Sequence, residues 1–153
     1  MVTARARFAL RAVVATATLV FALGCADFDM VIDPTGGAPG ELVTTPSFAR
    51  DIVPIFDQRC ATGGCHSLAT RQAGLALTPD AAYDALVGVP SALVAGQVRV
   101  RASNPAGSWL VTMIGSDDGA RRGFSRMPLA TQPLTPNQIA NIVRWIEQGA
   151  LRN

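Results

Sequence analysis

Only one histidine occurs in the 153 residues, and it directly follows the second of two cysteines in Cys60-Ala61-Thr62-Gly63-Gly64-Cys65-His66. Few residue groups restrict a small chain more than this one. Two thiols and an imidazole so close together are chemically able to cross-link the chain or hold a cofactor. Beyond residue 46 the sequence has short apolar-periodic stretches separated by segments rich in Gly, Pro, Ser and Thr. A domain with that pattern has difficulty filling its own core and commonly needs a covalent staple or a bound group. The length allows one domain with a core and is too short for two ordinary ones.

Composition narrows the functions. Hydrophobic residues make up 49% and charged residues 16%, which excludes a disordered tail and a nucleic-acid binder with a basic surface. All 13 positive side chains are arginines, and three of them (Arg5, Arg7, Arg11) lie ahead of an uncharged run from Ala12 to Leu23. That run falls short of the roughly 20 residues of a membrane-spanning helix and suits the core of a signal peptide. It ends in Ala22-Leu23-Gly24-Cys25, which resembles the lipobox of bacterial lipoproteins, with Ala22 where Leu is commoner. The resemblance implies cleavage after residue 24, lipidation of Cys25 and a site in the bacterial cell envelope, periplasmic or cell-surface. The alternative is an ordinary secreted protein. Either compartment permits disulfides and covalent cofactor attachment. Residues 25–46, with Pro and Gly but no periodicity, read as a flexible tether, and residues 47–153 as the folded domain.

The domain reads as all-α. Thr135, Pro136 and Gln138 form a helix start with a capping box, Ile139, Ile142, Val143 and Ile146 make an apolar stripe bordered by Trp145, and Gly149 marks the stop. A second helix is expected near Phe48–Gln58, starting at Asp51 because Pro54 belongs in a first turn, with a kink if it starts earlier. Shorter helices are expected at 80–86 and 105–114, and Gln97–Arg101 alternates as a short strand or an extended loop.

A Cys pair closed by an adjacent His is the signature of covalent c-type haem attachment, although two residues usually separate the cysteines and here there are four. Gly63 and Gly64 would let the extra length loop outward. A Cys60–Cys65 disulfide is the plainer alternative. A structural zinc site is a third, and it would need a fourth ligand from a carboxylate or another chain. With a single His, bis-His ligation within one chain is excluded. Beyond the signal segment the candidate thioethers are Met30 in the tether, Met113 in an apolar stretch that suits the core, and Met127 in a polar loop.

Taken in order, Asp51-Ile52-Val53-Pro54-Ile55-Phe56, the Cys-His motif, Met127-Pro128 and Arg144-Trp145-Ile146-Glu147-Gln148-Gly149-Ala150 resemble a class I cytochrome c domain of the extracytoplasmic planctomycete type. The resemblance runs from about Phe48 to Ala150. It implies a small all-α fold with short helices and long loops around one haem c, held covalently by Cys60 and Cys65. His66 and Met127 would be the axial ligands. It further implies one-electron transfer to a redox partner protein, without substrate turnover, from a membrane-anchored carrier that binds no nucleic acid. Two other classes stay open: a haem protein with an open distal site acting as a sensor or peroxidase-like enzyme, and a haem-free, disulfide-stapled lipoprotein. Trp109 and Trp145 are expected in the core or at a haem propionate. Arg121, Arg122 and Arg126 suit a solvated loop, a propionate contact or a docking patch, and Asp117-Asp118 reads as solvated loop acids.

Overall fold

The C-terminal helix starts where the sequence places it. Thr135 accepts a hydrogen bond from the Gln138 backbone N–H, the Gln138 side chain accepts from the Thr135 N–H, and Pro136 occupies the first turn. The structure, a computed structural model, describes residues 40–117, 120–129 and 131–153, so the signal segment, Cys25, Met30 and Asp118 lie outside the described residues. The helices are α1 (Val53–Arg59), α2 (Ala82–Leu86), α3 (Trp109–Ile114) and α4 (Pro136–Glu147). No β-strand forms among the described residues, which agrees with the all-α reading. Gln97–Arg101 runs as extended loop, with isolated bridges pairing Val98 to Pro90 and Ser108, and Val100 to Val87. Both shorter helices start later than expected, at Ala82 and Trp109 rather than at residues 80 and 105.

α4 buries Asn141, Ile142, Trp145 and Ile146, while Ile139 and Val143 are half-buried. Trp145, expected at the border of the stripe, is therefore at its centre, 1% exposed. Its indole N–H donates to the Leu151 carbonyl at 2.9 Å, so the ring is buried without an unmet polar group.

The helix ahead of the cysteines begins earlier than Asp51. Phe48–Ile52 forms a π-helical turn in which the Val53 N–H donates to the Phe48 carbonyl, five residues back. The chain passes from this turn into α1, where Pro54 lies in the first turn and its missing N–H costs little. Asp51 does not cap at its own position. It reaches back and accepts from the Ser47 N–H at 2.7 Å. The π-turn packs on α4, with Phe48 stacked 5.1 Å from Trp145 and edge-on to Tyr83 at 5.2 Å. The first and last helical segments meet through this turn, and α3 packs on α4 as well.

Residues 41–46, expected as the end of the tether, are fixed along α4. The Asn141 amide donates to Glu41 O at 2.6 Å and accepts from the Val43 N–H at 2.9 Å. Arg144 donates to Val43 O at 2.8 Å and Gln148 to Thr44 O at 3.0 Å, and Pro46 is fully buried. The contacts of the domain thus begin by Glu41. At the other end, Asn153 accepts from Ser47 Oγ, Phe48 N and Ala49 N at 2.8–2.9 Å. No helix among the described residues is long and apolar enough to cross a membrane.

Candidate functional site

Cys60 ends α1, with its N–H and that of Ala61 both bonded to Phe56 O at 2.8 Å. The chain then turns out to solvent through Thr62, Gly63 and Gly64, all exposed. Gly64 has φ +88 with open space around it, so the turn and not crowding selects glycine there. The Cys65 N–H donates to Thr62 O at 3.0 Å and the His66 N–H returns to Cys60 O at 3.1 Å. The extra residues of the spacer therefore bulge outward, and the loop brings Cys65 and His66 back beside Cys60. Both cysteines are free thiols. Burial pushes the Cys60 thiol up to about 12, the Arg59 charge pulls the other way, and Cys65 adds to the rise.

The imidazole of His66 is half-buried, and its Nδ1 lies 3.2 Å from the Leu75 carbonyl. A carbonyl only accepts, so Nδ1 is the donor in this contact, and in a neutral ring the lone pair then lies on Nε2. A backbone carbonyl on one ring nitrogen is the usual way a protein orients a histidine whose other nitrogen binds metal. The loop that presents Leu75 is tightly folded. Thr70 Oγ1 donates to Cys65 O at 2.6 Å, and the Leu77 N–H donates to His66 O at 2.7 Å. Arg71 (φ 42), Ala73 (φ 54) and Gly74 (φ 66) are left-handed. For the two non-glycine residues that conformation costs of order 1 kcal/mol each. Arg99 reaches across to this turn, donating to Ala73 O at 2.9 Å and Gly74 O at 3.3 Å through Nη2, and to Ala85 O at 2.8 Å through Nη1.

Met127 is half-buried, and its N–H donates to Met113 O at 2.8 Å. It packs against both apolar clusters of the domain, the main core that contains Cys60 and a small one of Val94, Trp109 and Met113. Met113 is a core residue, as expected. The arginines ahead of Met127 are partly committed. Arg121 donates to Gly115 O at 2.7 Å and Arg126 to Ile114 O at 3.0 Å, so both serve the carbonyl end of α3, while Arg122 is exposed. Asp117 accepts from the Ala120 N–H at 3.1 Å. The Trp109 indole N–H is buried with no hydrogen-bond partner among the described residues, and Phe124 stands edge-on to its ring at 6.0 Å.

The loop thus unites Cys60, Cys65 and His66, while Met127 is anchored to α3 and shares the apolar core that Cys60 enters. Among the described residues no three His, Cys, Asp or Glu side chains converge to hold a metal ion. Two surface clefts lie elsewhere, one beside Phe48 and Arg152 and one along α4 beside Arg126 and Val143. Comparison with protein-family models, with curated proteins and with solved structures finds no match to this chain. Leu75 and Arg99 are the site residues that the sequence does not announce. One acts through its backbone, and the other, 33 positions beyond the histidine, bonds to the turn just ahead of Leu75.

Proposed function

We propose that the chain is a single-haem c-type cytochrome of the bacterial cell envelope, anchored through a lipid on Cys25, that passes single electrons to a redox partner protein. The observation that carries this reading is the Cys60–His66 loop. It carries two free thiols and an imidazole on one turn that His66 N–H closes onto Cys60 O, and the Leu75 carbonyl occupies the Nδ1 side of that imidazole. The donor set suits the group: thiols for thioether bonds to the porphyrin vinyls, Nε2 of His66 for the iron, and the Met127 thioether for the distal position. Trp109 adds a second support. A buried indole N–H without a partner is uncommon, because leaving one unmet costs about 1–3 kcal/mol. Its apolar cluster and the main core both pack against Met127, which is suited to a flat apolar group with acidic substituents.

When bound, the haem supplies a one-electron Fe(III)/Fe(II) couple, which His/Met ligation sets higher than His/His. The chain's own part is to fix and shield. Cys60 and Cys65 would hold the group covalently, the Leu75 carbonyl orients the His66 ring through Nδ1, and apolar residues of both clusters pack against Met127. The sole histidine is then committed, and no nucleophile–base pair remains for substrate turnover.

The test is a haem stain on a denaturing gel with intact mass, on protein exported by a host with c-type maturation machinery and by the native host. Colour that survives denaturation with a mass gain of one haem supports the proposal. Unmodified Cys60 and Cys65 from both hosts sinks it. Replacing Met127 with Ala is expected to change the oxidised spectrum and lower the reduction potential. An unchanged spectrum would remove Met127 as the distal ligand and favour an open site.

A further inference from the structure

Arg99 makes an unusual set of contacts for a charged side chain. Its three guanidinium hydrogen bonds go to neutral main-chain carbonyls, those of Ala73, Gly74 and Ala85. Its own backbone is also occupied, with the N–H donating to Val89 O and the carbonyl accepting from the Leu110 N–H, both at 2.9 Å or less. The residue is therefore fixed on the extended segment between α2 and α3, with its side chain bridging the last turn of α2 and a loop. The loop is the left-handed turn Arg71–Gly74, whose next residue, Leu75, supplies the carbonyl at His66 Nδ1. Within that turn Gly74 N–H bonds to Arg71 O at 2.8 Å and Leu75 N–H to Gln72 O at 3.1 Å, while Gln72 N–H to Cys65 O at 3.2 Å and Arg71 N–H to Ser67 O at 3.0 Å join it to the Cys-His loop. None of these ties that loop and turn to α2 or to the segment after it. The guanidinium fork does so, because two carbonyls on one side and one on the other match its planar geometry, which an ammonium cannot reproduce.

We propose that Arg99 is a positioning residue for His66, clamping the Arg71–Leu75 turn so that the Leu75 carbonyl determines which ring nitrogen bears the proton. The inference rests on the reading of His66 as an iron ligand for its purpose, and on geometry alone for its content. Without the clamp the left-handed turn relaxes, the Leu75 carbonyl moves off the ring and Nδ1–H opens to water. The iron-facing nitrogen then loses its fixed orientation and the basicity that the carbonyl contact lends it.

A single histidine makes the test unambiguous, because every imidazole signal belongs to His66. The readout is solvent exchange of the His66 Nδ1–H, followed by nitrogen–proton NMR on the full chain as purified, reduced if it carries haem. In the unaltered chain the Nδ1–H is expected to be protected. In Arg99→Ala it is expected to exchange about tenfold faster, the factor one hydrogen bond is worth, with the circular dichroism of the fold retained. Arg99→Lys, which keeps charge and length without the fork, is expected to fall between the two. Unchanged protection in a folded Arg99→Ala chain overturns the proposal. If that variant does not fold, Arg99→Lys decides: faster exchange supports the clamp, and protection equal to the unaltered chain overturns it. The signal is readable with or without haem, so a negative haem stain leaves this result standing, and a positive one does not supply it.

Discussion

The two tryptophans mark two halves of the molecule that are finished to different degrees. Trp145 is 1% exposed, stacks on Phe48 and has its indole N–H bonded to Leu151 O. Around it, side-chain-to-backbone hydrogen bonds from Asn141, Arg144 and Gln148 hold the incoming chain, and the Asn153 terminus closes the first turn. Trp109 is 6% exposed, has no partner for its N–H among the described residues, and is flanked by Phe124, itself 36% exposed. The Trp145 indole meets its polar requirement within the chain. The Trp109 indole finds no partner among the described residues, and its cluster shares with the main core the packing of Met127, a thioether on a loop. The Trp145 half is the scaffold of the fold.

The sharpest way to break the comparison is to shorten each ring to phenylalanine. Trp145→Phe loses a buried hydrogen bond and leaves both a gap and an unmet carbonyl, for an expected cost of about 2–3 kcal/mol in denaturant unfolding. Trp109→Phe removes an N–H that was already unpaired and is expected to cost less than about 1 kcal/mol. Equal costs would mean that the indole of Trp109 is satisfied in solution and that the two halves do not differ. A smaller effect is expected from Asn141→Leu, which fills the space but leaves Glu41 O and Val43 N without their buried partner. A loss of about 1–2 kcal/mol, with proteolytic nicking shifted to residues 40–46, would show that the strap belongs to the scaffold half.

The last effect is silent near neutral pH and appears only in alkali. The Cys60 thiol, pushed up to about 12 from an ordinary 9.0, holds its proton in the folded chain when the unfolded chain has lost it. Between those values the unfolded state binds fewer protons, so stability falls as pH rises. Full stability from this source is expected below pH 9, with progressive loss toward 12. A parallel alkylation experiment separates the thiols: Cys65, half-buried, should be modified well before Cys60. Protein carrying haem on both sulfurs should show neither behaviour.

What the sequence discloses follows from how each feature is encoded. The α4 start is local chemistry, and Thr135, Pro136 and Gln138 disclose it within four positions. The Cys-His loop is equally local, and its outward bulge follows from Gly64. Trp145 was placed at the edge of its stripe because aliphatic spacing defined the face, whereas the ring's neighbours Phe48 and Leu151 set its burial. The π-turn escaped because Pro54 suits a helix start equally well with or without a wider turn before it. The strap at residues 41–46 and the Arg99 clamp escaped for a shared reason. Both are side-chain contacts to distant main-chain atoms, and a Gly- and Pro-rich segment carries the same pattern whether it is held or free.

The closure of the first turn by Asn153 has a kinetic consequence. Small helical domains generally fold fast because their contacts are local in sequence. Here the bonds that finish the Phe48 turn join residues separated by 105 and 106 positions, and the Val43–Asn141 bond spans 98. A loop of that length must close before any of those bonds forms, and the entropy of closing it comes due before they return anything. Folding should therefore be slower than the helix content alone suggests, with the scaffold half assembling as one late event when the two ends of the domain meet.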